Sequence, residues 1–183
     1  MKILVLTSAT GGGHNMRANS LKAWSETPVG RAANLDVSIH LTLENTHNLY
    51  RFGVGLYNFI QMRCPSLHHL YFNYLEKIPH FDHGRMIQNK QRFQEVVCGE
   101  EPDIVLSTHA HLNHGFFELA QESMPGRPPK TVTCCGELHW SYGFSKRWVN
   151  PKADLFVGAV PETCHAAQRL GMPINRIYEG GFL

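Results

Sequence analysis

Residues 2–14 have the sequence KILVLTSATGGGH, and this stretch decides the fold class of the chain. Residues 2–7 form a short, mainly apolar run, which is the pattern of a parallel strand buried on both faces. The next six residues are small and end in three glycines, and a helix is predicted from His14 to about Glu26. A strand, a tight glycine loop and a helix in this order predict the start of a βαβ unit.

The alternation of strands and helices continues along the whole chain. Further strands are predicted at residues 35–43, 104–107, 130–134, 153–157 and 175–178. Further helices are predicted at residues 82–98, 116–121 and 161–170, with two more between Leu49 and Leu75 on either side of Pro65. The first helix has Met16, Leu21 and Trp24 as candidate inward residues and Ala18 as a small packing position. This alternation predicts a Rossmann-like, doubly wound parallel α/β sheet, in which ligands bind outside the carboxyl ends of the strands.

Composition limits the class of protein. The chain has 183 residues with 43% hydrophobic and 17% charged residues, so we expect one domain over residues 1–183 with a real core. A net charge of +2 excludes a dedicated nucleic-acid binder with a basic stripe. Five cysteines without a C-x-x-C motif favour free thiols in a reducing compartment. With no signal peptide and no spanning helix in the pattern, we expect a cytoplasmic protein, either soluble or peripheral to a membrane.

The glycine loop is the first candidate site. Gly11, Gly12 and Gly13 would let a ligand approach the backbone, and the following helix would aim its N-terminus at an anion. The loop lacks the lysine of a Walker A motif and does not match G-x-G-x-x-G. His14 follows directly, and a histidine that titrates near neutral pH can deprotonate a hydroxyl group. The alternative is a tight strand–helix turn in which His14 is only a polar neighbour of the cap.

A second candidate loop follows the strand at residues 104–107 and contains His109, His111 and His114. Zinc binding is one interpretation, but no nearby cysteine or carboxylate completes a set of four ligands. The interpretation that we favour has one histidine facing the crevice and the others exposed or hydrogen-bonded locally. We therefore expect no metal and no cofactor.

The segment from Leu49 to Leu75 is rich in aromatic residues and allows two interpretations. It can supply two core helices, or it can present Phe52, Leu56 and Phe59 to a bilayer. Basic residues near this segment fit a surface of anionic lipid; they are Arg51, Arg63 and Lys77. Both interpretations can hold for different faces of the same helices.

Several motifs together resemble one family. The loop T-S-x-x-G-G-G-H, followed by a helix with Ala18, resembles the N-terminal domain of monogalactosyldiacylglycerol synthases and processive diacylglycerol glucosyltransferases. Residues 102–109 resemble the family's Pro-Asp-strand-Ser-x-His segment. Residues 148–173 resemble its last helical section, and residues 180–183 fall where the family chain crosses to a second domain.

The resemblance implies the N-terminal half of a GT-B glycosyltransferase, which holds the lipid acceptor. The implied reaction is transfer of a hexose from a UDP-sugar to diacylglycerol with inversion and without a bound metal. His14 would be the base, while Gly11 to Gly13, His109 and Glu137 would bind substrate. The domain that holds most of the UDP-sugar would lie outside these residues, so we expect either a fragment or one subunit of a split enzyme, inactive alone and attached peripherally to the membrane.

Two positions depart from the family pattern. Gly136-Glu137 stands where the family usually has Thr-Asp, and Arg17 stands where relatives often have a small residue. Two other functions remain open at this point. One is a non-catalytic subunit that recruits a donor-binding chain to the membrane, and the other is a flavodoxin-like domain that binds a nucleotide.

Overall fold

The structure is a computed structural model that describes residues 1–77, 87–141 and 144–181. Within these residues, six parallel strands form one sheet. The strands are β1 (Lys2–Thr7), β2 (Asp36–Leu41), β3 (Ile104–Ser107), β4 (Lys130–Cys135), β5 (Leu155–Gly158) and β6 (Ile177–Glu179). Their order across the sheet is β2-β1-β3-β4-β5-β6, which confirms the predicted doubly wound sheet.

Helices connect the strands. They are α1 (Gly13–Ser25), α2 (Pro28–Ala32), α3 (Thr42–Thr46), α4 (Asn48–Arg63), α5 (His68–Lys77), α6 (Lys90–Glu100), α7 (Phe116–Ser123) and α8 (Pro161–Arg169). A short 3₁₀ turn at Pro65–Leu67 separates α4 from α5, because proline disfavours a helical conformation in the residue before it. The prediction of two helices divided by Pro65 is therefore confirmed.

The sheet has an apolar layer on each face, since successive residues of a strand point in opposite directions. Leu4 and Leu6 of β1 belong to the larger core, which includes Phe93 of α6 and Phe116 of α7. Ile3 and Val5 belong to the smaller core on the other face, with Val37 of β2 and Ala18 of α1. Every position of β1 from Ile3 to Thr7 is buried, as a central strand requires.

The strand order reverses beside β1. The chain leaves β1 toward β2 on one side and returns to β3 on the other, so β1 and β3 are neighbours at a topological switch point. In sheets of this kind the crevice for ligands lies at this place, outside the carboxyl ends of the two strands. The loops at residues 8–12 and 108–115 border it.

The structure corrects several predicted boundaries. The strand predicted at 35–43 ends at Leu41, because residues 42–46 form α3. The helix predicted at 82–98 begins at Lys90 within the described residues, while residues 82–86 lie outside them. The short helices α2 and α3 were not predicted.

The predicted inward face of α1 is wrong at two positions. Met16 and Trp24 are 56% and 46% exposed, whereas Ala18 is fully buried and Leu21 packs against the same core. At 100° per residue, Met16 and Trp24 lie on the far side of the helix from Ala18. The side chain of Ala18 fits closely against β1, so the small residue rather than the large ones sets the inward face.

Candidate functional site

Hydrogen bonds join the two loops at the switch point. The Thr108 hydroxyl oxygen lies 3.0 Å from the Thr7 hydroxyl oxygen and 3.1 Å from the carbonyl oxygen of His14. The Thr108 N–H also donates to the carbonyl of Leu6 at 3.0 Å. These bonds fix the first turn of α1 against the end of β3, although the residues are nearly a hundred positions apart in the sequence.

The His14 ring is held in one tautomer. Nδ1 lies 2.7 Å from the carbonyl oxygen of Thr108, and a carbonyl only accepts, so Nδ1 carries the proton. The ring is tilted against His109 with centroids 4.4 Å apart and against Trp148 at 5.8 Å. Nε2 is then the basic nitrogen of the ring, and His14 lines the cavity described below.

The pKa of His14 differs from the expectation of a group that titrates near neutral pH. The pKa is lowered from 6.5 to about 4, mainly by burial; the hydrogen bond to Thr108 raises it in part, and the positive charge of Arg17 contributes to the lowering. His14 is therefore a neutral imidazole over the whole physiological pH range. A neutral ring with a free lone pair is the form that a general base needs.

His109 lies beneath the crevice and is buried. The backbone N–H of His111 donates to His109 Nδ1 at 3.2 Å, so the proton of the neutral ring is on Nε2. Nε2 then donates to the Thr10 hydroxyl oxygen at 2.9 Å. Burial, followed by the charges of His14 and His111, keeps the pKa of His109 well below its usual value. His109 therefore lines the cavity with both nitrogens occupied, and its predicted role in substrate binding stays a prediction.

The glycine loop is clamped by α4. The Gly11 N–H donates to Asn58 Oδ1 at 2.9 Å, and Asn58 Nδ2 donates to the carbonyl of Ala9 at 2.9 Å. Gly11 and Gly12 have φ values of +64° and +79°, a region that side chains disfavour. The N–H of Gly11 is therefore already used and is not open to a ligand, in contrast to the expectation that a ligand could approach the backbone of all three glycines.

The other two glycines agree with the expectation of an open loop. A Cβ atom added at Gly12 or Gly13 would meet nothing within 4 Å. Gly12 also caps the N-terminus of α1, where backbone N–H groups favour a negative charge. This part of the loop remains accessible to a ligand.

A carboxylate holds the base of the same loop. Glu44 Oε1 accepts hydrogen bonds from the Ser8 hydroxyl at 3.1 Å and from the Ala9 N–H at 2.6 Å. Glu44 lies on α3, directly after β2, and Arg51 of α4 donates to its backbone carbonyl at 3.1 Å. The glycine loop, α3 and α4 thus form one hydrogen-bonded unit.

The two departures from the family pattern, Arg17 and Gly136-Glu137, are in direct contact, and each depends on the other. Arg17 is buried, and its guanidinium lies so close to the backbone of Gly136 that a Cβ atom at this position would collide with it. A side chain at residue 136 and a long side chain at residue 17 therefore exclude one another. Glu137, the next residue, is half-buried and lines the cavity, and its predicted role in substrate binding stays a prediction.

A cavity of about 430 Å³ opens from His14 between the two loops and the helices α4 and α5. Its wall is dominated by aromatic and aliphatic side chains, among them Tyr50, Phe52, Leu56, Tyr57, Phe72 and Trp148. Among the described residues that line it, Glu137 is the only formally charged side chain at neutral pH. Burial and the negative charge of Glu137 raise the pKa of Tyr57, so this phenol stays neutral.

The outer face of α4 and α5 is apolar and exposed. Phe52 and Phe59 are 67% and 55% exposed, while Leu56, between them on the helix, is half-buried and lines the cavity. Further large apolar side chains on these helices and on the turn between them are exposed, namely Leu49, Met62, Leu67, Leu70 and Tyr74, and Leu49 and Tyr74 also line the cavity. The apolar cavity is thus continuous with an apolar surface that has no cover in the described part of the chain.

Four residues of this site were missed by sequence reasoning, namely Thr10, Glu44, Asn58 and Trp148. Only Asn58 has a sequence signal, because a polar amide inside the otherwise apolar segment 52–60 needs a partner. His111 also lines the cavity, and its backbone N–H donates to His109 Nδ1. His114 is not among the lining residues, and its Nε2 lies 3.1 Å from the carbonyl of Val149. In residues 1–77, 87–141 and 144–181, no group of three metal-ligating side chains comes together.

The parallel sheet, its switch point and the crevice define a Rossmann-like α/β domain of the type found in glycosyltransferases. The chain superposes on the apo form of the lipopolysaccharide outer core galactosyltransferase WaaB with a TM-score of 0.51 and 12% identity. The match covers 98% of this chain and 45% of that chain, so this chain spans less than half the length of that protein. At this identity the likeness shows the fold alone.

No protein-family model matches the chain, and no curated protein matches it. The resemblance to diacylglycerol transferases therefore stays a prediction from the motifs. Among the described helices, none is both long and apolar enough to cross a bilayer.

Proposed function

We propose that this chain is the acceptor-binding domain of an inverting glycosyltransferase that transfers a hexose from a UDP-sugar to diacylglycerol. The observation that carries the proposal is the position of His14 at the inner end of an apolar cavity that opens onto the exposed apolar face of α4 and α5. A lipid alcohol would place its hydroxyl at His14 and its acyl chains along the aromatic wall. The glycosyltransferase-type fold supports this class of reaction.

The proposed chemistry is a single displacement. His14 Nε2 takes the proton from the acceptor hydroxyl as its oxygen forms a bond to the anomeric carbon of the sugar. The bond from that carbon to the diphosphate oxygen breaks, and the electron pair leaves with UDP. The hydrogen bond from His14 Nδ1 to Thr108 holds the ring in the required tautomer.

The donor would meet the glycine loop. Gly12 and Gly13 are open at the N-terminus of α1, which favours the negative charge that develops on the leaving diphosphate. We propose that most contacts to the UDP-sugar come from a second domain or a partner chain, because the matched glycosyltransferase is more than twice as long as the superposed region. Glu137 would bind a hydroxyl group of the substrates at the cavity rim.

The cavity favours an uncharged acceptor head group. Its described lining has a single formal charge, the carboxylate of Glu137, and three histidines, His14, His109 and His111. The lowered pKa values of His14 and His109 keep these two rings neutral. A lipid phosphate or diphosphate would be placed beside the Glu137 carboxylate, with no lysine or arginine among the described lining residues. Diacylglycerol meets this requirement, since its only exposed polar group at this position is a hydroxyl.

The exposed apolar face of α4 and α5 supports a peripheral location at a membrane, which we propose to be on the cytoplasmic side. Phe52 and Phe59 would enter the acyl region, and Arg51 would stay near anionic head groups. The acceptor could then move from the bilayer into the cavity without crossing water.

The nucleotide-binding alternative is less well supported. Gly11 has no amide to offer a phosphate, and the cavity wall is mainly apolar rather than polar. The recruiting-subunit alternative shares the membrane face with our proposal and differs only in chemistry. A protein that binds vesicles but does not transfer sugar would support the recruiting role.

The test is a sugar-transfer assay. The protein is purified together with the domain or partner chain that binds the UDP-sugar. Labelled UDP-glucose and UDP-galactose are offered with dioleoylglycerol in mixed micelles, and with dioleoylglycerol acetate, whose hydroxyl is blocked, as the matched control. We expect glycolipid only from the free alcohol. No product from either UDP-sugar would contradict the proposal.

A further inference from the structure

The hydrogen bonds around Thr10 have a fixed donor-to-acceptor direction. The amide of His111 is always a donor, so His109 Nδ1 must accept and His109 Nε2 must donate to the Thr10 oxygen. A hydroxyl group has one proton, and in the described part of the chain the Thr10 hydroxyl makes no second hydrogen bond. Since Thr10 lines the cavity, its proton can be donated to a ligand there.

The neighbouring His14 offers a hydrogen-bond acceptor to the cavity, whereas Thr10 offers a donor. Its Nδ1–H is used by the carbonyl of Thr108, which leaves Nε2 as an acceptor. His109 contacts both residues: its ring centroid lies 4.4 Å from that of His14, and its Nε2 lies 2.9 Å from the Thr10 oxygen. The inner end of the cavity therefore offers one donor and one acceptor, surrounded by apolar side chains.

We infer that Thr10 is the second acceptor-binding residue of this site and that Thr10 and His14 together select an aliphatic alcohol. The alcohol oxygen accepts the hydrogen bond from Thr10 and its proton is donated to His14 Nε2. An ether or ester oxygen has no proton for His14, and a protonated amine has no lone pair for Thr10. The inference deepens the proposed function and rests on it in one respect, since the bound alcohol would be the sugar acceptor.

The Thr10 contact also orients the reacting oxygen. A hydroxyl that accepts from Thr10 and donates to His14 has one lone pair left, and this lone pair attacks the anomeric carbon. The series of hydrogen bonds from His111 through His109 to Thr10 thus determines where that lone pair points. His109 and His111 are positioning residues here, because they act only through Thr10.

The experiment uses decanol and undecane, which have the same number of heavy atoms and differ in one hydroxyl group. Binding is followed by the fluorescence of Trp148, which lines the cavity. The exposed Trp24 and Trp140 are replaced in the W24F/W140F background so that Trp148 alone reports. Variants Thr10→Val and Thr10→Ser are compared, because valine keeps the shape and serine keeps the hydroxyl.

We expect decanol to bind more tightly than undecane. Thr10→Val should weaken decanol binding about three- to tenfold, the value of one hydrogen bond, and leave undecane binding unchanged. Thr10→Ser should restore the preference for the alcohol. Equal binding of the two probes by the parent protein, or unchanged decanol binding in Thr10→Val, would overturn the inference.

A second measurement tests the direction of these hydrogen bonds in the protein without any ligand. Nitrogen-15 NMR of the histidine rings should show the His109 proton on Nε2 and the His14 proton on Nδ1. A His109 proton on Nδ1 would reverse the direction of the hydrogen bond to Thr10 and overturn the inference.

Sugar transfer is assayed separately. A normal preference for the alcohol without sugar transfer contradicts only the proposed function. Sugar transfer that is equal in Thr10→Val and the parent protein contradicts only the role of Thr10.

Discussion

At the scale of single residues, His14 carries the proposed chemistry, and its role can be separated from its packing. His14→Ala should lower kcat about 10²- to 10⁴-fold, because the proton then has no positioned acceptor. His165→Ala, on the exposed side of α8, is the matched control and should keep full turnover. A variant at His14 with near-normal kcat and a lowered melting temperature would assign this histidine to the scaffold.

The pH dependence of the same reaction follows from the low pKa of His14. Protonation removes the base, so kcat/KM should fall only as the pH drops through about 4, the value set by burial in the free protein. A bound UDP-sugar brings negative charge, which favours the imidazolium and shifts the acidic limb of kcat to higher pH. A limb of kcat/KM near 6.5 would contradict the buried, neutral ring. Rates are measured from below pH 4 up to pH 8 at saturating and limiting acceptor, so that the range includes the predicted limb.

Sequence reasoning found the chemical groups of the site but not their state. His14 and His109 were both singled out, and parallel topology predicts that loops after neighbouring strands meet. The pKa of His14 and the proton positions of both rings depend on Thr108 and His111, whose backbone contacts arise only in the fold. The pairing of Arg17 with Gly136 is of the same kind, since neither residue alone indicates the other.

Asn58 links two elements, and its loss should loosen the glycine loop. Asn58→Leu removes two hydrogen bonds to Ala9 and Gly11, so we expect a loss of about 1–3 kcal/mol in unfolding free energy. Amide hydrogen exchange at Gly11 should become faster. Asn73→Leu, on the exposed side of α5, is the matched control and should change neither quantity. Exchange at Gly11 equal to that of the parent protein would show that the clamp is not needed.

At the scale of elements, α4 and α5 predict membrane binding. Phe52→Ser with Phe59→Ser should lower binding to anionic vesicles about tenfold or more, because each phenylalanine loses its apolar contact with lipid. Val29→Ser changes an equally exposed apolar residue on α2 and should have no effect. Vesicle flotation at low and high salt measures the binding, which should weaken with salt as basic residues are screened. Equal flotation of the double variant and the parent would contradict this role.

The elements differ in how well the sequence predicts them. The buried strands β1, β3 and β4 are short apolar runs between turn residues, and they lie within one residue of their predicted positions. The helices α2 and α3 have five residues each, too few for a helical hydrophobic period to emerge. Their formation depends on local caps and neighbours, such as the Thr27 hydroxyl that accepts from the Gly30 N–H at 3.2 Å.

At the scale of the whole molecule, buried neutral histidines should make the protein sensitive to acid. The pKa values of His14, His40 and His109 are all lowered, and burial is the largest cause for each. As the pH falls, a histidine whose pKa is lowered in the folded state is protonated at a higher pH in the unfolded chain than in the folded protein. Stability is therefore unaffected above about pH 6.5, falls as the pH drops from 6.5 toward 4, and levels off for His14 below 4.

The contribution of His14 to this acid sensitivity can be isolated. A pKa lowered from 6.5 to about 4 corresponds to about 3 kcal/mol of unfolding free energy between neutral pH and pH 4. His14→Gln keeps an amide that can donate to the Thr108 carbonyl but cannot take up a proton, so this variant should lose less stability over that range than the parent. Urea unfolding of both proteins at pH 7.5, 5.5 and 4 gives the difference directly. Parallel stability curves for the two proteins would contradict the lowered pKa of His14, and the acidic limb of kcat/KM would then be expected near pH 6.5 instead of near 4.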